Sequence, residues 1–233
     1  MRTFRTGSST PDRRDDADAQ SSLTLVSSVI AQGFTNDGTS SPTQHVAGQT
    51  PSLTSTNNYI NFCGNSSLPL ATGNQISTGF CNPIVMGAIP STSRMPSAKF
   101  TYPRNGDFLA PNAPMILGLA IINLSTGSFT NEETNYMSAP QQLDSDGTIK
   151  GHPFVVIEEL TDPSQPSLTD PNKFTFCKGL TGVADSSGVL NSSVPGLQPG
   201  FYRMSSMIVA INSQPVALPV VQRGAVDDAI FVS

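Results

Sequence analysis

Gly151-His152-Pro153-Phe154-Val155-Val156-Ile157-Glu158-Glu159-Leu160 holds the densest β-branched run in the middle of this chain. Successive side chains of a strand point to opposite faces, so Val155, Val156 and Ile157 predict a strand covered on both. Gly151 and Pro153 mark its start, and Asp162-Pro163 its end.

Six further runs lie outward from it, separated by turn residues. On the N-terminal side, AKFTYP (98–103) alternates with Phe100 and Tyr102 on one face, and PMILGLAIINL (114–124) is long and apolar, hence central. On the C-terminal side come KFTFCKGL (173–180), GVLNSSV (188–194), GLQPGFYRMSSMIVAINS (196–213) and DDAIFVS (227–233). Leu197-Gln198-Pro199-Gly200-Phe201-Tyr202 has the L-x-P-G-x-Y form of a tyrosine corner. There the tyrosine hydroxyl bonds back to the backbone where a sandwich strand crosses between sheets. Pro215 and Pro219 confine PVALPVVQRG (215–224) to an edge. Helix-period stretches of any length are missing.

These runs predict an all-β fold, an immunoglobulin/fibronectin-like antiparallel β-sandwich with long loops over residues 57–233. Residues 1–56 are Ser/Thr-rich and expected to be a largely disordered N-terminal segment, the first 20 above all, since nothing in them offsets the cost of ordering the backbone. Within it, LTLVSSVI (23–30) is expected to add a strand or short helix, and His45 to lie solvated in a loop. The polar excursion 125–147 is the expected binding loop, by position.

Composition bounds the partners. Only 12% of residues are charged, against about a quarter in ordinary soluble domains. The surface is therefore made polar by hydroxyls and amides, as in turn-rich extracellular β proteins. A net charge of −5 with 12 basic residues leaves no basic stripe to replace phosphate counterions, which argues against nucleic acid. No apolar run approaches the roughly 20 residues that span a bilayer.

Smaller signals address the compartment. Asn65, Asn123 and Asn191 each open an N-x-Ser tripeptide and are candidate N-glycosylation acceptors. Cys63 and Cys81 flank a Gly/Asn/Pro-rich segment that can close as a disulfide loop, and Cys177 is then left over as an expected buried core thiol. These features predict an extracellular or cell-wall location. Against it, MRTFRTGSSTPDRRDDADAQ has no apolar h-region, so no signal peptide is visible.

The order NNYINFC … CNPIVMGAIPSTSRMPSAKF … TNYMSAPQQL … GHPFVVIEEL … DPNKFTFCKGL … GFYRMSSMIVAINSQPV … VVQRGAVDD resembles a family of uncharacterised secreted fungal proteins, many mislabelled as a small-subunit ribosomal protein. The resemblance spans about residues 22–233. It implies histidines in a Gly-His-x-His strand, in Asn-His-Gln-Pro and in Gln-His-Gly before a terminal acidic pair. Such imidazoles can converge on zinc or copper. Here His152 is kept, while Phe154, Ser213 and Arg223 stand at the other histidine positions. His152, Ser213, Gln214, Arg223, Asp227 and Asp228 are thus the candidate binding residues. No cofactor is expected in this chain, although a metal is possible in relatives. Arg223 would repel a cation and can pair with Asp227 or Asp228.

Other constellations read as scaffold. Asp144-Ser145-Asp146-Gly147 opens like a calcium loop but lacks the later ligands, so a hairpin turn is expected. Glu158/Glu159 and Asp227/Asp228 are adjacent strand residues, so at most one of each pair enters a site. Two functions remain open. The first is a non-catalytic extracellular or cell-wall-associated glycoprotein that binds glycan or a protein partner through its loops. The alternative is a metal-dependent oxidoreductase or hydrolase whose histidine site has degenerated in this member.

Overall fold

A computed structural model describes residues 22–39, 47–70, 78–82, 86–136 and 139–233. All seven runs form strands. A three-stranded antiparallel sheet has the order β3 (Ser97–Tyr102), β4 (Met115–Ile122), β8 (Val189–Val194). Opposite it, β10 (Ala229–Val232), β9 (Phe201–Ala210) and β6 (Ile149–Leu160) pair antiparallel. Beyond β6 lie β7 (Phe176–Gly179), antiparallel, and the two-residue β5 (Leu124–Ser125), parallel. A two-stranded ribbon, β1 (Phe80–Asn82) and β2 (Gly87–Ile89), stands outside them. The protein is all-β and sandwich-like.

The core follows from alternation. Leu117, Leu119 and Ile121 of β4 are buried with Val155 and Ile157 of β6, Met204 and Ile208 of β9, and Ile230 and Val232 of β10. Each fully buried aliphatic side chain contributes about 1.5–3 kcal/mol. Tyr202 Oη donates to Gln198 O at 2.8 Å, the hydrogen bond that the L-x-P-G-x-Y sequence predicts. Phe100 and Tyr102 do not share a face. The register of β3 against β4 shifts between them, so Phe100 is buried while Tyr102 is 47% exposed. The second face of β6 is also less covered than expected, with His152 fully buried and Phe154 and Val156 half-buried.

A coat formed by residues 47–70, 78–82 and 86–96 lies against this sandwich. A disulfide joins Cys63 to Cys81 across 18 positions. Tyr59 packs against Phe34 and Phe62 with ring centroids 5.3 and 6.3 Å away. Gln141 fastens the coat from beneath, its Nε2 donating to Ala88 O and Ala217 O and its Oε1 accepting from Ala217 N. Gly87 has φ +85° and passes so close that a Cβ there would sit 2.2 Å from Gln141 O, which only glycine permits.

Residues 1–21 and His45, read from sequence as disordered and as solvated, lie outside the described residues. In 23–30 the regular structure is a single 3-10 turn, Ser27–Val29. Further on, Ser52 N donates to Asp37 O, Ser55 N to Phe34 O and Thr50 N to Phe129 O. The bond to Phe129 ties that part of the N-terminal segment to the domain.

Candidate functional site

Between the coat and the hairpin that leads into β6 lies an open cleft of about 770 Å³. Its coat wall carries Asn57, Tyr59, Asn61, Phe62 and Asn65, and its hairpin wall carries Gln142, Asp144 and Ser145. Asp144 shapes the hairpin: Oδ1 accepts from the backbone N–H of Asp146 (3.0 Å) and Thr148 (2.9 Å), and its own N–H donates to Thr148 O. The DSDG stretch is thus a turn, with the second carboxylate oxygen unused by that bonding.

The coat wall is set by local side-chain bonding. Ser55 Oγ donates to Asn57 Oδ1 and accepts from Tyr59 N, and Tyr59 Oη donates to Leu53 O. Asn58 holds the Val29–Ala31 backbone through both ends of its amide. Among the described residues, the neighbouring side-chain amides of Asn61, Asn65 and Gln142, by contrast, make no hydrogen bond. Among the described residues lining the cleft there is no Lys, Arg or His, and Asp144 is the only carboxylate. The cleft therefore offers amide donors and acceptors, hydroxyls, one acid and the aromatic rings of Tyr59 and Phe62. This inventory suits an uncharged ligand rich in hydroxyls and repels anions.

The residues named from sequence are partly gathered elsewhere. His152 lies under the segment 128–135, its ring 6.1 Å from that of Phe129 in an edge-on contact. Neither ring nitrogen has a hydrogen-bond partner. Burial lowers its pKa to about 4, while the Glu132 charge and the Ser128 backbone favour the charged form. The Ser128 group does not reach hydrogen-bonding geometry, so the imidazole is neutral and unpaired at neutral pH. A Cβ at Gly179 would come within 3.3 Å of this ring and 3.4 Å of Phe154.

Ser213 Oγ donates to Glu132 Oε1 at 2.7 Å, beside the single-turn helix α1 (Glu132–Asn135). The Gln214 side chain donates to Tyr136 O. Arg223 bonds its own backbone, Nη1 to Val220 O at 2.9 Å, and takes up neither aspartate. Asp227 Oδ1 accepts from Ile208 N at 2.6 Å, and burial raises its pKa. Asp228 joins the two sheets by pairing with Lys99 (3.2 Å) and accepting from Phe100 N (2.9 Å).

These positions do not fit a transition metal. His152 is sealed, Phe154 offers no lone pair, Ser213 is engaged, and among the described residues no three of His, Cys, Asp and Glu gather as ligands. Cys177 is free but exposed, contrary to the expected buried thiol, because it lies on the outer face of edge strand β7 opposite Val156. Glu158 meets Arg203 at 2.7 Å. Burial would raise its pKa, yet bonds from Thr169 and Arg203 and the Arg203 charge hold it below the usual range.

The three glycosylation acceptors differ. Asn65 and Asn191 are exposed. Asn123 is half-buried at φ +54°, and its Nδ2 donates to Met95 O at 3.0 Å.

An all-β, sandwich-like fold with a disulfide-stapled coat and a polar, amide-rich cleft is the class that fold and site define. Residues 98–233 match the CLU5d N-terminal domain, and the chain belongs to that family. It is 40% identical over 183 residues to pathogenicity cluster 5 protein d of Colletotrichum graminicola, a match that covers 78% of this chain. The chain spans 38% of that relative's length. It also overlays 59% of its length on 20% of an engineered protein solved by crystallography, at 9% identity and a TM-score of 0.31, too slight a likeness to carry an argument. No helix among the described residues is long and apolar enough to cross a membrane.

Proposed function

We propose that this chain is a non-catalytic, extracellular or cell-wall-associated glycoprotein that binds neutral glycan in the cleft between coat and hairpin. The carrying observation is the cleft itself: about 770 Å³, with unused amides of Asn61, Asn65 and Gln142 around the Phe62 ring and no cation among the described lining residues. Sugar hydroxyls pair with such amides, and the apolar face of a pyranose packs on an aromatic ring. Hydrolysis of a glycosidic bond ordinarily uses two carboxylates, whereas this lining presents Asp144 alone.

The disulfide supports an oxidising compartment, where such bonds persist. The low charge and hydroxyl-rich surface support it as well. The relative's name ties that protein to a pathogenicity cluster, which suits a chain deployed outside the fungal cell.

Calorimetric titration of the unglycosylated chain with chitotriose, laminaritriose and trigalacturonic acid tests the reading. Binding of a neutral sugar is expected, weakened about threefold to tenfold by Phe62→Ala or Asn61→Ala, each removing about 0.5–1.5 kcal/mol. The anionic trimer is expected not to bind. Preference for trigalacturonic acid, or neutral-sugar binding untouched by either substitution, would overturn it.

A further inference from the structure

We propose that Asn65 carries an N-linked glycan and that this glycan seats in the cleft, so that modification of one asparagine controls access to the site. The inference rests on the cleft being a sugar site. It adds which residue is modified and what that modification does.

The three acceptor tripeptides are alike in sequence, each Asn-x-Ser, and are separated only by their surroundings. Asn123 is committed. It is half-buried at positive φ, and its Nδ2 reaches both Met95 O (3.0 Å) and Ser93 O (3.4 Å), tying the end of β4 to the chain before β3. A sugar on that nitrogen would need the space where those carbonyls stand. Asn191 is exposed on β8, with Ser193 exposed beside it, and it does not line the cleft. A glycan there projects into solvent.

Asn65 brings together three properties that neither of the others combines. It ends the 3-10 turn Phe62–Asn65, it is exposed with an uncommitted amide, and its side chain lines the cleft together with Ser67, the hydroxyl of its tripeptide. The donor is an oligosaccharide joined to a lipid diphosphate. Transfer forms the Asn65 Nδ2–C1 bond and breaks the bond from C1 to the diphosphate oxygen. The lipid diphosphate leaves with that electron pair, and one amide proton is released.

The first sugars then stand beside Phe62, Asn61 and Asp144, the groups that serve a free ligand. A ligand tethered by a short link experiences an effective concentration on the order of millimolar. The attached glycan therefore occupies the cleft ahead of a weakly bound free sugar, and its removal opens the site.

The test uses the full chain secreted from yeast behind a supplied leader, alongside Asn65→Gln and Ser67→Ala, which abolish the acceptor in two different ways. Enzymatic deglycosylation of the folded, unaltered chain, which hydrolyses the side-chain amide and leaves aspartate at position 65, gives a third glycan-free form. Peptide mapping is expected to find glycan on Asn65 and none on Asn123. Amide exchange over 53–62 and 142–147 is expected to be several-fold slower with the glycan present, and chitotriose or laminaritriose to bind about tenfold more tightly without it.

An unmodified Asn65, a modified Asn123, or equal exchange in all forms would overturn the proposal. Equal sugar binding by glycosylated and unglycosylated chains would sink the gate and leave the cleft as a sugar site. Slowed exchange without sugar binding by any form would remove the sugar site and leave the seated glycan. No binding and equal exchange would end both.

Discussion

The sandwich and its coat are held together by different physics. In the sandwich, β4 alone places Leu117, Leu119 and Ile121 in the core, and β6, β9 and β10 meet them from the opposite sheet. In the coat, buried apolar side chains are few. A disulfide, the Tyr59 ring cluster and side-chain bonds to backbone such as those of Asn58 and Gln141 do most of the holding. Apolar burial is non-directional and tolerates repacking, whereas a wall built from hydrogen bonds fixes the position of each polar group. A site that recognises hydroxyls needs fixed polar groups. The cleft accordingly opens along the seam, with one wall from each region.

Truncating the core should break the comparison most strongly. Leu119→Ala is expected to cost about 2–5 kcal/mol, the range for deleting a fully buried leucine, as a cooperative fall in the urea midpoint that takes sandwich and coat together. Replacing Cys63 and Cys81 by serine should act on one region only. The loss is expected near 2–4 kcal/mol for a loop of this size, with amide exchange rising over 57–68 while β4 and β9 stay protected. Uniform loss of protection would show that the coat is part of the sandwich's cooperative unit.

Acid should probe the sandwich's outer face through His152. Its folded pKa of about 4 lies below the ordinary 6.5, so the unfolded chain binds the extra proton first as pH falls. The stability from keeping the imidazole neutral is complete above about pH 6.5 and is lost progressively down to about 4, by roughly 3 kcal/mol in all. Urea midpoints for the native chain and His152→Leu across pH 3.5–7 should diverge in steepness, with the variant flatter in that window. A smaller effect, about 1 kcal/mol, is expected for Tyr202→Phe, which removes only the bond to Gln198 O.

The same division decides what was legible in the sequence. Turn-bounded alternating and β-branched runs are a property of the chain itself, so all seven strands could be read from them, and the Tyr202 corner from its L-x-P-G-x-Y sequence. Paired cysteines around a turn-rich link likewise announced the Cys63–Cys81 loop. Faces were harder to read. Tyr102 turns outward at a register shift that no residue marks, and Cys177 is exposed because it lies on the outer face of β7, which pairs with β6 at the sheet edge among the described residues.

The cleft was hidden for another reason. Its walls come from positions roughly 80 apart in sequence, and the polar stretch 125–147 enters it only through its last residues. The available signal was the density of asparagines in NNYINFCGN beside a cysteine. His152 stood out in the sequence, but its seal under Phe129 is a tertiary fact.

One measurement tests the central claim most directly: backbone chemical-shift mapping of the unglycosylated chain titrated with chitotriose or laminaritriose. The account predicts that shifts concentrate in residues 53–68 and 142–147, while His152, Phe154 and Met207 on the outer face of β6 and β9 stay silent. Shifts confined to that outer face, or none at any sugar concentration, would contradict it.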